Sequence, residues 1–144
     1  MLMFQVDGEP WALATTAVKD LIPRVDLQPC AYVGDGVVGL LNYHSEHVPV
    51  MDISAVVGSQ PSSDLFSTRI AIVEVDEAST SLGLILDRAA ETTHLSRTLE
   101  LPTQSPFIQA TYESPSGQVV RQLALPPLFL RMHSQRMPLQ EMPS

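Results

Sequence analysis

The chain has 144 residues, of which 44% are hydrophobic and 17% are charged. A disordered chain shows the reverse balance, so we expect a packed core in one domain or in two small subdomains. Sixteen acidic residues against eight basic ones give a net charge of −8. A surface this acidic repels nucleic acid and anionic membranes, which excludes both as expected partners.

The beginning of the chain and its single cysteine bear on the cellular compartment. The opening residues include Asp7 and Glu9 and no basic stretch, so we expect no signal peptide. No apolar run approaches the roughly 20 residues of a membrane helix. Cys30 is alone, which excludes an intrachain disulfide and fits a reducing compartment. We therefore expect a cytoplasmic protein.

The first part of the chain predicts a hairpin followed by a short helix. Residues 2–13 contain two apolar segments around Asp7-Gly8, a hairpin-turn signal because glycine reaches positive φ without a Cβ clash. The apolar spacing of residues 15–22 predicts one or two helical turns.

The middle of the chain predicts a second hairpin and another helical turn. Residues 36–42 and 48–53 are apolar segments that flank a polar tip. Pro49 is then expected on an edge strand, at a bulge or at a strand start. Residues 54–58 predict one turn of helix that ends at a left-handed glycine.

The second half of the chain is also predicted to be mostly β-structure. Its β-branched and apolar segments indicate strands, and prolines interrupt the segments between them. The predicted elements are a strand at 69–76, a strand buried on both faces at 82–87, a loop at 95–105, a strand pair at 106–111 and 119–125, and a helical turn at 128–132.

Many short strands with frequent turns indicate an all-β sandwich or barrel. A weak internal repeat supports a barrel. Residues 48–53 (VPVMDI) resemble residues 120–125 (VRQLAL) in apolar spacing, and each segment follows a turn. A duplicated small barrel would explain the repeat.

A metal site is the first catalytic hypothesis. His44 and His47 lie three residues apart, a spacing that on a helix allows two histidines to share a metal. On an extended hairpin tip, however, this spacing points them to opposite faces. A third ligand would come from Asp52, His94 or His133. We favour a solvated turn, with a small metal-dependent enzyme using His44 and His47 as the alternative from a different class.

Three further patterns in the sequence bear on chemistry. Asp52 and Asp87 each lie near the end of an apolar strand and suggest a catalytic carboxylate pair, but strand-end or helix-capping acceptors are the favoured interpretation. Residues 34–39 fit G-x-G-x-x-G but lead into a strand, so no dinucleotide site is predicted. Cys30 has no adjacent cation, so we expect a packed residue rather than a nucleophile.

Five blocks of the sequence, in order, resemble the CheW-like domain family. They are FQVDGEPWAL, AVKDLI, GLLNYHSEHVPVMDISAVVG, STRIAIVEVD with LGLILDRAAETTHL, and PFIQATYESPSGQVVRQLAL. The AVKDLI block resembles the short helix of the family. The resemblance implies an all-β fold of two intertwined, five-stranded SH3-like β-barrel subdomains over residues 1–133. Residues 134–144 are then expected to be a frayed C-terminal tail.

The resemblance also implies a function in chemotaxis signal transduction. It implies a non-catalytic adaptor that needs no cofactor and bridges the regulatory domain of a chemotaxis-type histidine kinase to the cytoplasmic tip of a chemoreceptor. The kinase domain would pair through the barrel ends, and the receptor tip, a helical hairpin, would dock in the groove between the barrels. The alternative within this class is an adaptor of a non-flagellar chemosensory pathway controlling surface sensing, pili or second messengers.

The resemblance places the receptor-contact positions of the family on four residues, which are Val18, Asp20, His44 and Ser45. At the last two the family pattern has Arg-Gly, so this chain lacks both the bidentate guanidinium and the residue that most easily reaches positive φ. Asn42-Tyr43 and the segment 87–92 look closer to adaptors of alternative chemosensory systems.

The competing interpretations of these positions are structural. Val18 is equally consistent with core packing, Asp20 with a solvated charge and His44 with an exposed turn residue. Four residues are expected to be fold determinants rather than contacts, and they are Gly39, Pro49, Asp52 and Gly83.

Overall fold

The computed structural model shows an all-β protein and describes residues 1–29, 37–58, 61, 67–75, 80–90, 97–99 and 105–130. The strands are β1 (Leu2–Val6), β2 (Glu9–Leu13), β3 (Val18–Pro23), β4 (Val37–Tyr43), β5 (Glu46–Asp52), β6 (Thr68–Val75), β7 (Thr80–Ala90), β8 (Arg97–Leu99), β9 (Ile108–Glu113) and β10 (Val119–Leu123). The helical segments are the 3-10 turn η1 (Thr15–Ala17), helix α1 (Ile53–Val57) and residues 126–130.

The strands form two halves that share β7. In the first half the neighbours run β3-β6-β7, and β5 pairs with both β7 and β4. In the second half they run β7-β1-β2-β10-β9-β8. The first strands of the chain therefore belong with the last ones, which intertwines the halves. The prediction of two intertwined SH3-like barrels is confirmed.

The first half is completed by a short contact between β4 and the segment that follows β3. Gln28 and Leu40 exchange two backbone hydrogen bonds, with N···O distances of 2.8 and 2.9 Å. This is an isolated bridge rather than a continuous ladder. The five strands of the first half are thus linked in a ring whose weakest side lies between β3 and β4.

The two central strands are buried on both faces because they separate two hydrophobic clusters. Successive side chains of a strand point to opposite faces. Ile70 and Ile72 of β6 pack into a small cluster formed by first-half strands, whereas Ala71 and Val73 pack into a larger cluster that joins both halves. All side chains of residues 82–86 are likewise buried. This confirms the strand predicted to be buried on both faces.

The weak sequence repeat corresponds to a repeated structural unit. β5 pairs in parallel with β7 and leads into α1. β10 pairs in parallel with β2 and leads into the helical residues 126–130. Each half therefore contains a hairpin whose second strand pairs in parallel with a distant strand and is followed by a short helix.

The predicted helix over residues 15–22 is wrong beyond its first turn. Only Thr15–Ala17 is helical, and Val18–Pro23 is a strand that pairs along β6. The apolar residues of this strand lie in different surroundings. Val18 packs against the larger cluster, Ile22 packs against the smaller one, and Leu21 is 38% exposed. Pairing with β6 overrides the local preference for helix.

Two smaller predictions also need correction. The predicted loop at 95–105 contains β8, whose residues Arg97–Leu99 pair with β9. Gly58 ends α1 as predicted, but its φ is −112°, so it is not left-handed. A Cβ there would lie 2.6 Å from Val6 Cγ1 and 2.7 Å from the Ser54 carbonyl oxygen, so close packing explains the glycine.

Of the four residues expected to be fold determinants, Gly39 and Gly83 lie in tight packing, Pro49 lies in the middle of β5 and Asp52 lies at the end of β5. A Cβ on Gly39 would lie 2.8 Å from the Gln28 carbonyl oxygen, and one on Gly83 would lie 2.9 Å from Val50 Cγ2. Pro49 pairs with β4, one residue before the pairing of β5 with β7 begins. Asp52 is buried and accepts a hydrogen bond from the Ser54 N–H at 3.1 Å, capping α1.

The contacts of Gly39 predict that Gly39→Ala destabilises the fold. The new methyl would meet backbone and Cβ atoms that cannot rotate away, at the bridge that completes the first half. We expect a loss of about 1–3 kcal/mol in the free energy of unfolding, measured by urea denaturation. Val38→Ala is the matched control, because Val38 is the neighbouring residue and is 49% exposed. Equal stability of the two variants would contradict the role assigned to Gly39.

Candidate partner-binding surface

A groove of about 360 Å³ lies where the two halves meet. One wall comes from the end of β2, from η1 and from Glu74 of β6. The other wall comes from β9, β10 and the start of the last helical segment. The lining residues are Leu13, Ala14, Thr16, Ala17, Glu74, Gln109, Gln122, Leu123, Leu125 and Pro126.

β3 begins at the edge of this groove and holds two of the four predicted contact residues. Val18 follows η1 directly and is half-buried against the larger core cluster. The register with β6 shifts by one residue between Val18 and Asp20. Such a bulge changes the direction of side chains beyond it. Asp20 is half-buried, and its Oδ1 accepts a hydrogen bond from the Leu21 N–H at 2.9 Å.

Tyr43 connects the two pairs of predicted contact residues. Its hydroxyl donates a hydrogen bond to Asp20 Oδ2 at 2.9 Å, from the last residue of β4 to β3. His44 and Ser45 follow Tyr43 directly. The structure therefore brings Asp20 close to the hairpin tip, an arrangement that the spacing of these residues in the sequence does not indicate.

The hairpin tip is a two-residue turn in the left-handed region. His44 has φ 48° and Ser45 has φ 66°, and both residues are exposed. Turns of this kind match the twist of the flanking strands and favour Asn-Gly, because positive φ is costly for residues with a Cβ. The His44 ring stands edge-on to the Tyr43 ring, with centroids 4.3 Å apart and an interplanar angle of 72°.

A salt bridge links β3 to the groove. Lys19 Nζ lies 2.8 Å from Glu74 Oε2, and Glu74 also lines the groove. The hydrogen bond from Lys19 to Glu74 is the main cause of a raised Lys19 pKa. Because both side chains are substantially exposed, we expect the pair to orient this surface more than to stabilise the fold.

The Tyr43 phenol has a raised pKa. Desolvation is the largest cause, followed by the hydrogen bond to Asp20 and the negative charge of that carboxylate. The phenol is a neutral donor at neutral pH in any case, and the raised pKa extends this state further into alkali. In the sequence, Tyr43 stands out only as a departure from the family pattern. Its polar tip at a strand end was the available signal for this contact.

The two carboxylates that suggested a catalytic pair each accept a hydrogen bond within the fold. Asp52 caps α1, and Asp87 accepts a hydrogen bond from the Ser67 hydroxyl at 3.0 Å. Within the described ranges no group of three or more His, Cys, Asp or Glu side chains is arranged to hold a metal ion. Cys30, His94, His133 and residues 34–36 of the G-x-G-x-x-G pattern lie outside those ranges, as does the predicted tail at 134–144.

The two SH3-like barrels share β7, and the groove lies between them. A sequence model of the CheW-like domain matches residues 1–131. The chain therefore belongs to the CheW-like domain family. In the part of the chain that the structure describes, no helix is long and apolar enough to cross a membrane.

The fold is similar to a solved structure of the same family. This is the crystal structure of the scaffolding protein TtCheW from Thermoanaerobacter tengcongensis, with a TM-score of 0.73 and 18% sequence identity. The similarity covers 86% of this chain and 87% of that one. No curated protein sequence matches the chain.

The geometry of the hairpin tip predicts that Ser45→Gly stabilises the protein. Glycine removes the Cβ penalty at φ 66° but adds chain entropy to the unfolded state. The expected net gain is about 0.5–1 kcal/mol in the free energy of unfolding, measured by urea denaturation. Ser45→Ala, which keeps the Cβ, should give no gain. If Ser45→Ala stabilised the protein and Ser45→Gly did not, the Cβ at this positive φ would not be a source of strain.

The raised pKa values of Tyr43 and Lys19 predict that stability declines in alkali. Both groups hold their protons more tightly in the folded state than at their ordinary pKa values of 10.0 and 10.5. The free energy of unfolding should therefore fall as pH rises above these values. The Tyr43→Phe variant lacks this phenol, so its free energy of unfolding, measured with urea, should decline less steeply between about pH 8 and about pH 11. Superimposable profiles would contradict the assignment.

Proposed function

We propose that the chain is a non-catalytic, cytoplasmic adaptor that couples a chemotaxis-type histidine kinase to chemoreceptors. The observation that supports this most directly is the CheW-like domain over residues 1–131, folded as two intertwined barrels with a groove between them. The kinase would bind through its regulatory domain, and the receptor would bind through its cytoplasmic tip. No cofactor is needed, because the function consists of holding two proteins in a fixed relation.

The groove and the adjoining β3–β4 surface are the proposed receptor site. The groove has apolar walls that include Leu13, Leu123 and Leu125, and polar side chains that include Gln109 and Gln122. An apolar centre with a polar rim suits one face of an amphipathic helix. The contact residues Val18, Asp20, His44 and Ser45 would then meet the receptor tip next to the groove.

The far end of the first half is the proposed kinase site. Val25 and Val38 are among the exposed large hydrophobic residues, at 45% and 49% exposure. Together with Arg24, Asp26 and Leu27 they line a second groove of about 230 Å³. Exposed aliphatic side chains around a concavity are typical of protein-binding surfaces. Separate sites would allow kinase and receptor to bind at the same time.

The proposed mechanism is positional. A protein that binds two partners at separate sites transmits a signal when the conformation of one partner changes its fit to the adaptor. The shared strand β7 connects both halves, so the two sites are held in one rigid framework. The adaptor contributes geometry and coupling free energy, and the kinase contributes the chemistry.

A second candidate is an adaptor of a non-flagellar chemosensory pathway. The observation that favours it is the altered receptor surface, where His44-Ser45 stands in place of Arg-Gly and Tyr43 binds Asp20. Histidine does not form the bidentate contact that arginine forms with a carboxylate. A receptor that fits this surface would therefore differ from those that the family's arginine recognises.

The proposal predicts that the two partners can be lost separately. The tagged full chain is used to recover proteins from native lysate, and the bound proteins are identified by mass spectrometry. Wild type should recover a chemotaxis-type kinase and a receptor. Asp20→Arg should lose most of the receptor and keep the kinase, whereas Val38→Asp should lose most of the kinase and keep the receptor. Each change alters only one of the two proposed surfaces.

The control for charge reversal is Glu9→Arg. The Glu9 side chain is 65% exposed, and neither Glu9 nor its ion-pair partner Arg121 lines either of the two proposed grooves. This variant should retain both partners. Recovery of neither partner by wild type would contradict the adaptor function, while the identity of the recovered receptor would distinguish flagellar from non-flagellar pathways.

A further inference from the structure

The Asp20 carboxylate is held in a fixed orientation by donors from its own chain. The Leu21 N–H binds Oδ1 and the Tyr43 hydroxyl binds Oδ2, both at 2.9 Å. One donor is a backbone N–H of β3 and the other is a side-chain hydroxyl of β4. Each carboxylate oxygen is therefore held by one donor, and the two donors come from different directions. A carboxylate offers roughly four acceptor positions, so each oxygen keeps further capacity.

Neither donor neutralises this carboxylate. The adjacent cation, Lys19, is bound to Glu74 at 2.8 Å instead. Among the residues that the structure describes, no cation forms an ion pair with Asp20. Within the described part of the chain, the Asp20 carboxylate is therefore half-buried, oriented by two donors and without an ion-pair partner.

Tyr43 is itself held in place, which makes it an effective support for Asp20. Its backbone pairs with Glu46 across the hairpin, and its ring contacts the His44 ring edge-on. Its hydroxyl is protonated at neutral pH because the ordinary tyrosine pKa is about 10, so it is available as a donor, and the raised pKa extends this state further into alkali. A leucine or phenylalanine at this position would leave Asp20 without its donor from the opposite strand.

We propose that Tyr43 is a positioning residue that presents Asp20 as the acceptor for an arginine or lysine side chain of the docked helix. This inference rests on the proposed function and specifies the chemistry of the partner. Hydrogen bonds between a cation and a carboxylate are about twice as strong as neutral ones. An oriented carboxylate loses less freedom when it binds, which favours the complex. The Arg-to-His change at residue 44 and the charge on Asp20 therefore point to a partner with a basic residue at this contact.

The first test needs no partner and examines the hydrogen bond between Tyr43 and Asp20. The ionisation of the tyrosines is followed by ultraviolet absorbance in wild type, Asp20→Asn and Tyr43→Phe. In wild type, one tyrosine should titrate with a raised pKa. This titration should be missing from Tyr43→Phe, and in Asp20→Asn it should lie closer to the ordinary value of 10.0. An unchanged titration in Asp20→Asn would show that Asp20 and Tyr43 are not bonded in solution, and it would overturn the inference.

The second test is a charge exchange with the receptor tip recovered by wild type. Each arginine and lysine of the purified tip fragment is replaced by glutamate in turn, and its affinity is measured for wild type and for Asp20→Arg. At one position the glutamate should weaken binding to wild type by about 10-fold or more and strengthen binding to Asp20→Arg. The absence of any such position would overturn the inference, although receptor binding itself would still support the proposed function.

Tyr43→Phe separates positioning from a general structural role. It should weaken binding of the unaltered tip several-fold and have little further effect on the tip that lacks the paired cation. Equal losses for both fragments would show that Tyr43 only stabilises the fold. Failure of wild type to recover any receptor would instead remove the proposed function, and this inference with it.

Discussion

Burial of β7 on both faces is the constraint on which the rest of the structure depends. Its side chains fill the cluster of the first half on one face and the cluster that joins both halves on the other. β6 and β5 are the neighbours of its first part, while β1 pairs with its end. β6 in turn holds β3 with Asp20, and β5 holds β4 with Tyr43. The Asp20–Tyr43 hydrogen bond therefore joins two branches that both originate at β7.

The sequence predicted those elements whose signals are local. Asp7-Gly8 between apolar segments is sufficient for the first hairpin, and both residues have positive φ in the structure. The continuous apolar run at 82–86 is sufficient for a strand buried on both faces. β3 and β8 were missed because their conformation depends on pairing with other strands, β6 and β9. With six and three residues, β3 and β8 are also too short to show a periodic signal of their own.

For the candidate site, the sequence offered proposed members but no geometry. Val18, Asp20, His44 and Ser45 follow from the family resemblance, since nothing in their spacing indicates a common surface. Asp20 and Tyr43 lie 23 positions apart, and their contact depends on the ring of strands that brings β4 beside β3. The distance between them in space is a property of the barrel. No pattern within either segment encodes it.

The parallel pairing of β2 with β10 has a consequence for the order in which the nascent chain can fold. Glu9 and Arg121, which meet in this region, are 112 positions apart. Strands β3 to β7 can pair as soon as residue 90 has left the ribosome, whereas the hairpin of β1 and β2 has one edge without a neighbour until β10 is synthesised. Exposed edges invite wrong pairing during this interval. The earliest part of the chain to be made is thus among the last to be enclosed.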